Sequence, residues 1–149
     1  MCGIGGIYMV GNDLLPTEAT EAMFKALDDR GGHASGVAWL WQGADTLQVF
    51  KGARTARSIS SQAMAKVGRI VRYAMFHTRY TTQGSTSNNG NNHPIVGHGI
   101  TLTHNGVLSN DRQVFNYLGV KRLYEVDSEA INAVLSQHTV EILPEMIQG

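Results

Sequence analysis

The strongest constraint on the fold is a polar stretch of almost twenty residues, Thr81 to Gly99, set between two apolar segments. "RYAMFHTRY" before it and "ITLTHNG" after it are rich in aromatic and β-branched residues and read as strands. Each ends in polar residues. A loop of that length without secondary structure is uncommon inside a compact domain, and such loops tend to carry function. Chemistry is therefore expected where the two strands meet it.

The rest of the chain supplies further strands and helices. "GIGGIYMV", Gly3 to Val10, reads as a strand. "SGVAWLWQ" and "TLQVF" read as an antiparallel hairpin joined at "GAD". From Thr17, "TEATEAMFKALDD" reads as a helix with Ala19, Met23, Ala26 and Leu27 on one face. Thr17 is its expected cap, Glu18 suits its first turn, and Gly31 and Gly32 stop it. Ser60 to Val71 reads as a second helix, with Met64, Val67 and Val71 on one face. Short helices are expected over Ser109–Leu118 and Asp127–His138, with "RLYEV" between them extended. The class is α+β: antiparallel strands with helices on their faces. At 149 residues the chain suggests one domain with a real core.

Composition narrows the function. Twelve Lys plus Arg balance twelve Asp plus Glu, and no basic stripe appears, so no nucleic-acid partner is expected. No apolar run approaches the ~20 residues of a membrane-spanning helix, so no membrane partner is expected either. The N-terminus lacks the pattern of a signal peptide, and one cysteine makes no internal disulfide. A reducing cytoplasm is the expected location. Seventeen glycines, placed at turns and beside polar motifs, read as backbone punctuation around a site.

Cys2 is the sole cysteine. A buried structural thiol is the plain reading. If Met1 is removed, however, Cys2 carries both a thiol and a free α-amine. Such an amine has a pKa of about 7.7–8.0, low enough to take the thiol proton near neutral pH.

Three other motifs have similar double readings. In "HTRYTTQG", Arg79 is either one partner of an ion pair or a guanidinium fork for a carboxylate. Tyr80 and Thr82 are core and turn residues by default. In "THNGVLSN", Asn105 and Gly106 make an ordinary turn, or else a donor pair for an oxyanion. In "EVDSEAI", Asp127 is a helix cap, or else receives an ammonium group. Arginine for a carboxylate and aspartate for an ammonium together describe an amino-acid pocket. His77, His93, His98 and His104 cluster in one region but show no strong zinc spacing, so no metal and no other cofactor is expected. His93, before Pro94, fixes loop geometry or lines a pocket.

Taken in order, these segments resemble the glutaminase domain of the class II glutamine amidotransferases. "MCGIGGIY" is similar to the family's opening Met-Cys-Gly-Ile. "DRGGHASGVAW" resembles its Arg-Gly segment, through Arg30, Gly31 and Gly36. "FHTRYTTQG", "NNHPIV", "THNGVLSN" and "VDSEAI" resemble its remaining motifs. Gly84 closes the first of these four. Together they span Cys2 to about Ile131.

The resemblance implies a four-layer αββα sandwich of the N-terminal nucleophile hydrolase type. It implies that Cys2 attacks the side-chain amide of L-glutamine, with its own α-amine moving protons. Asn105 and Gly106 would form the oxyanion hole, Arg79 would hold the substrate carboxylate and Asp127 its ammonium. Tyr80, Thr82 and His93 would complete the pocket, with Arg30, Gly31 and Gly84 supporting it. The products would be glutamate and ammonia, the latter passed to a synthase domain or separate subunit. A module that keeps the fold but only binds an amino acid or a partner chain is the alternative.

Two departures stand out. Gln83 takes a position where hexosamine-forming members often have histidine. The chain also stops at "LPEMIQG", where members continue with further strands. The expectation is a glutaminase domain over residues 1–149, incomplete at its C-terminus. It would be either a minimal or viral-type form, then in a host cytoplasm, or a truncated chain.

Overall fold

A computed structural model describes residues 1–137. Its first body is a four-stranded antiparallel sheet in the order β1–β4–β2–β3, formed by β1 (Gly3–Tyr8), β2 (Ala34–Trp41), β3 (Gln48–Gly52) and β4 (Val71–Arg79). Helices α1 (Thr17–Ala26) and α2 (Ala56–Val67) pack against each other, and α2 against the sheet. The second body is a two-stranded hairpin, β5 (Ile95–Gly97) and β6 (Ile100–Leu102). Helix α4 (Glu129–Gln137) packs beside it, and α3 (Asp111–Leu118) packs on α4. The α+β class is as expected.

Side chains alternate across a strand, so each strand of the first sheet serves two purposes. Val37 and Trp39 of β2, with Ala74 and Phe76 of β4, face the helices and join Phe24, Ile59, Ala63, Met64 and Val67 in one core. Phe24 and Phe76 meet ring to ring at 5.1 Å. The alternate residues, His77 and Arg79 of β4 and Lys51 of β3, belong to the opposite face.

Several local expectations are corrected. The buried stripe of α1 runs through Thr20 and Phe24, with Met23 and Leu27 partly covered, while Ala19 and Ala26 are exposed. The large apolar area of Phe24 sets the rotation, and alanine offers little in competition. Thr17 is the first helical residue rather than the cap, and its hydroxyl donates to the Leu15 carbonyl. Before the glycines are reached, α1 tightens into a 3₁₀ turn over Leu27–Asp29.

The second helix starts four residues earlier than expected. The Thr55 side chain accepts from the Ser58 N–H at its N-terminus, and the Asp28 carboxylate accepts from Ala56 and Arg57 N–H. Gly68, at φ +71°, ends it. Val71 accordingly lies in β4 and not on the helix.

The long polar stretch is not bare loop, since it contains β5 and a 3₁₀ turn at Asn89–Asn91. Conversely, β6 stops at Leu102 and leaves "THNG" free of the ladder, and "RLYEV" forms no strand. Residue His138 and the segment "LPEMIQG" lie outside the described residues. Among the described residues, no helix is long and apolar enough to cross a membrane.

Candidate active site

The site forms at one end of the first sheet. Gly3 pairs with Thr78 in the β1–β4 ladder, and continuing that register puts Cys2 level with Arg79. The Tyr80 N–H donates to Cys2 Sγ at 3.3 Å, and Sγ lies 3.7 Å from the Tyr80 carbonyl. Arg30 approaches from the turn after α1, with Nε donating to the Cys2 carbonyl at 3.4 Å and Nη2 at 3.8 Å from Met1 Sδ. Its neighbour Gly31 packs directly on the β4 backbone. A Cβ there would stand 2.6 Å from Tyr80 N and 2.7 Å from the Arg79 carbonyl carbon. Only a bare backbone lets that turn approach the strand so closely.

The segment released after β6 reaches back to Cys2. The Cys2 N–H donates to Asn105 Oδ1 at 3.3 Å, which leaves the Asn105 amide nitrogen available as a donor. Gly106 is bare for a visible reason, since a Cβ would lie 2.6 Å from His104 Nε2. The His104 ring is held in turn by Ser128, with Nδ1 3.1 Å from its hydroxyl. Asp127 is buried. Its carboxylate accepts from Leu108 N–H at 2.6 Å and from Ser128 N–H at 2.9 Å, so it ties the Asn105 segment to the start of α4.

Arg79 is also buried, and the chain itself engages both terminal nitrogens of its guanidinium. Nη1 donates to Asn92 Oδ1 at 3.0 Å, while Nη2 donates to the Gly84 carbonyl at 3.0 Å and to the Gln83 carbonyl. Burial lowers its pKa from the ordinary value, and the neighbouring Cys2 and Asp127 act in the opposite sense. Tyr80 stacks at 4.9 Å on His33 and is half exposed, and Thr82 is exposed.

His93 lies stacked on His77, with ring centroids 4.1 Å apart. Burial pushes His77 down to about 4 and His93 to about 2, and the charge of Arg79 adds to both. Both rings are therefore neutral near pH 7. His77 Nε2 faces the His104 carbonyl at 3.1 Å and must carry the proton, because a carbonyl oxygen only accepts. His77 Nδ1 and both nitrogens of His93 are buried without a partner.

Cys2, Arg79, Tyr80, Thr82, His93, Gly106 and Asp127 thus line one cleft, together with Gln83, His104, Val126 and Ser128. Its free space is about 20 Å³, room for a single water. Asn105 borders it through Cys2, Arg30 and Gly31 lie behind the Cys2–Tyr80 contact, and Gly84 holds Arg79. His98 sits apart on Glu129 at 3.0 Å. Among the described residues, no group of three or more His, Cys, Asp or Glu is arranged to hold a metal ion. Sequence reasoning missed Asn92, His104 and Ser128 as site-forming residues. Their signal was position alone, since each adjoins a residue that was singled out. The arrangement offers a thiol, amide and backbone donors beside it, and a cation and an anion a short distance away.

No family model matches the chain. It is 33% identical over 143 residues to a glutamine–fructose-6-phosphate aminotransferase of Xylella fastidiosa, a match covering 93% of this chain and 22% of that protein. The chain is homologous to the glutaminase region of the class II glutamine amidotransferases. The aminotransferases of the same name from Rhizobium meliloti and Thermotoga maritima are 31% and 30% identical, over 93% and 95% of the chain. This amidotransferase homologue spans about a fifth of the length of those relatives. Its fold matches the glutamine phosphoribosylpyrophosphate amidotransferase of B. subtilis with a TM-score of 0.73. That match has 21% identity and covers 98% of this chain and 31% of that one.

Proposed function

We propose that this chain hydrolyses the side-chain amide of L-glutamine to glutamate and ammonia, with Cys2 as nucleophile. The observation that carries the reading is the meeting of Cys2 with Asn105 on one side and Arg79 and Asp127 on the other, within one cleft. Removal of Met1, three-quarters exposed, turns the Cys2 amide nitrogen into an α-amine beside its own thiol.

The amine takes the thiol proton, and Sγ attacks the amide carbon of glutamine. The resulting oxyanion is held by the Asn105 side-chain amide and the Gly106 N–H. The amine returns its proton to the leaving nitrogen, the C–N bond breaks, and ammonia departs from a thioester. Water, deprotonated by the same amine, hydrolyses the thioester and frees glutamate and the thiol. Arg79 binds the substrate α-carboxylate and Asp127 its α-ammonium. Tyr80, Thr82 and His93 wall the pocket. The cleft has room for one water only, so glutamine enters as the Tyr80–Gly84 segment moves and gives up its carbonyl contacts to Arg79.

In this reading the chain is the glutaminase part, residues 1–149, of a larger system in the cytoplasm. Its fold is a four-layer αββα sandwich, and its ammonia goes to a synthase on another domain or subunit. The self-satisfied Arg79 favours one second reading, a module that retains the pocket without turnover. Glutamate release from glutamine, lost in Cys2→Ala, supports the first reading. Calorimetric binding of glutamine without turnover selects the second.

A further inference from the structure

We propose that Lys51 is a positioning residue for the substrate-carboxylate end of this cleft, acting through the Asn92–Pro94 segment; the assignment rests on the glutaminase reading. Lys51 lies on β3, the strand farthest from Cys2, and projects from the same sheet face as His77 and Arg79. Its ammonium donates to the carbonyls of Asn92 at 2.6 Å and Pro94 at 2.8 Å. Those two carbonyls bracket His93. The Asn92 side chain is the acceptor for Arg79 Nη1, and its own amide donates to Thr86 and Asn89. Lys51 thus clamps the backbone that carries both the guanidinium's partner and one wall of the cleft. Gly36 makes room for this clamp, since a Cβ there would stand 2.4 Å from the His93 carbonyl and 2.5 Å from Lys51 Cβ.

The charge arrangement is unusual for a structural lysine. Buried ammonium groups are normally paired with carboxylates. Among the described residues, neither Lys51 nor Arg79 forms a salt bridge. Burial, with the charge of Arg79 adding to it, pushes Lys51 down to about 8. Lys51 meets backbone carbonyls and Arg79 meets two carbonyls and the Asn92 side-chain oxygen, so of the charges near the guanidinium among the described residues only Asp127 and Cys2 oppose it. A substrate carboxylate bound at Arg79 adds a negative charge within reach of both cations.

The test compares how fast Cys2 is alkylated by two reagents in protein whose N-terminus is verified to begin at Cys2. Iodoacetamide needs only the thiol. The diazoketone analogue of L-glutamine also needs the amino-acid pocket. Lys51→Met should slow the diazoketone about tenfold, the scale of one misaimed charge-assisted hydrogen bond, and leave iodoacetamide unchanged. Lys51→Arg should restore most of the loss. If Lys51→Met does not fold, Lys51→Gln, which keeps a donor for one carbonyl, is measured in its place and should show the same selective loss. Equal slowing of both reagents, or of neither, overturns the proposal. A wild-type protein that reacts with iodoacetamide but not with the diazoketone overturns the glutaminase reading itself, and the Lys51 assignment falls with it.

Discussion

The Cys2 nitrogen lies 3.3 Å from Oδ1 of Asn105, a residue 103 positions away in the chain. The contact closes the first sheet's end strand onto the segment released after the second hairpin. It turns the Asn105 amide oxygen toward the N-terminus, and in the proposed mechanism its NH₂ donates to the developing oxyanion. Asn105→Ala should therefore fold normally yet lose about 10²–10³ in turnover, the usual cost of one oxyanion donor. Glutamate release and thermal melting, measured side by side, check this.

Gly31 and Gly32 are adjacent and chemically identical, but their surroundings differ. A Cβ at Gly31 meets the Arg79–Tyr80 backbone at 2.6–2.7 Å, whereas one at Gly32 has Thr55 Cγ2 at 3.5 Å as its nearest neighbour. Gly31→Ala should destabilise the protein by about 1–3 kcal/mol, the range for overpacking, and Gly32→Ala should be tolerated. Denaturant midpoints for the pair decide it.

The stacked imidazoles make stability depend on pH. His77 is depressed to about 4 in the fold, while an unfolded histidine titrates near 6.5. Folding favours the neutral ring, so its stabilisation is full above about pH 6.5 and is lost as pH falls toward 4. His93 continues the same trend to lower pH. The melting temperature should fall across this window, and His77→Gln, which keeps a donor for the His104 carbonyl, should flatten the fall. Melting curves between pH 7 and 4 test this.

Asp127 has two tasks, and its substitution should affect both. Its oxygens accept from Leu108 and Ser128 N–H, so Asp127→Ala leaves two backbone donors without a partner, at about 1–3 kcal/mol each where buried. The same change removes the proposed anchor for the substrate ammonium. A lower melting temperature together with a higher KM for glutamine is expected, and steady-state kinetics at saturating glutamine separates the two effects.

The α+β class and the family were legible in the sequence because residue types at strand ends survive any error in element boundaries. Cys2, Arg79, Tyr80, Thr82, His93, Gly106 and Asp127 were all singled out, and all line one cleft. Boundaries were less legible where tertiary contacts decide them. The start of α2 depends on Asp28, on a different element, accepting from Ala56 and Arg57 N–H. The rotation of α1 depends on Phe24 finding Phe76. Lys51 was invisible because its partners are the backbone carbonyls of Asn92 and Pro94, and carbonyls leave no trace in residue identity.

The central claim is that Cys2, once it is the first residue, is a nucleophile toward glutamine. The most direct test is glutamate release from L-glutamine by folded protein whose mature N-terminus is shown by mass spectrometry to begin at Cys2. The account predicts turnover that Cys2→Ala abolishes. Folded protein beginning at Cys2 that releases no glutamate would contradict it.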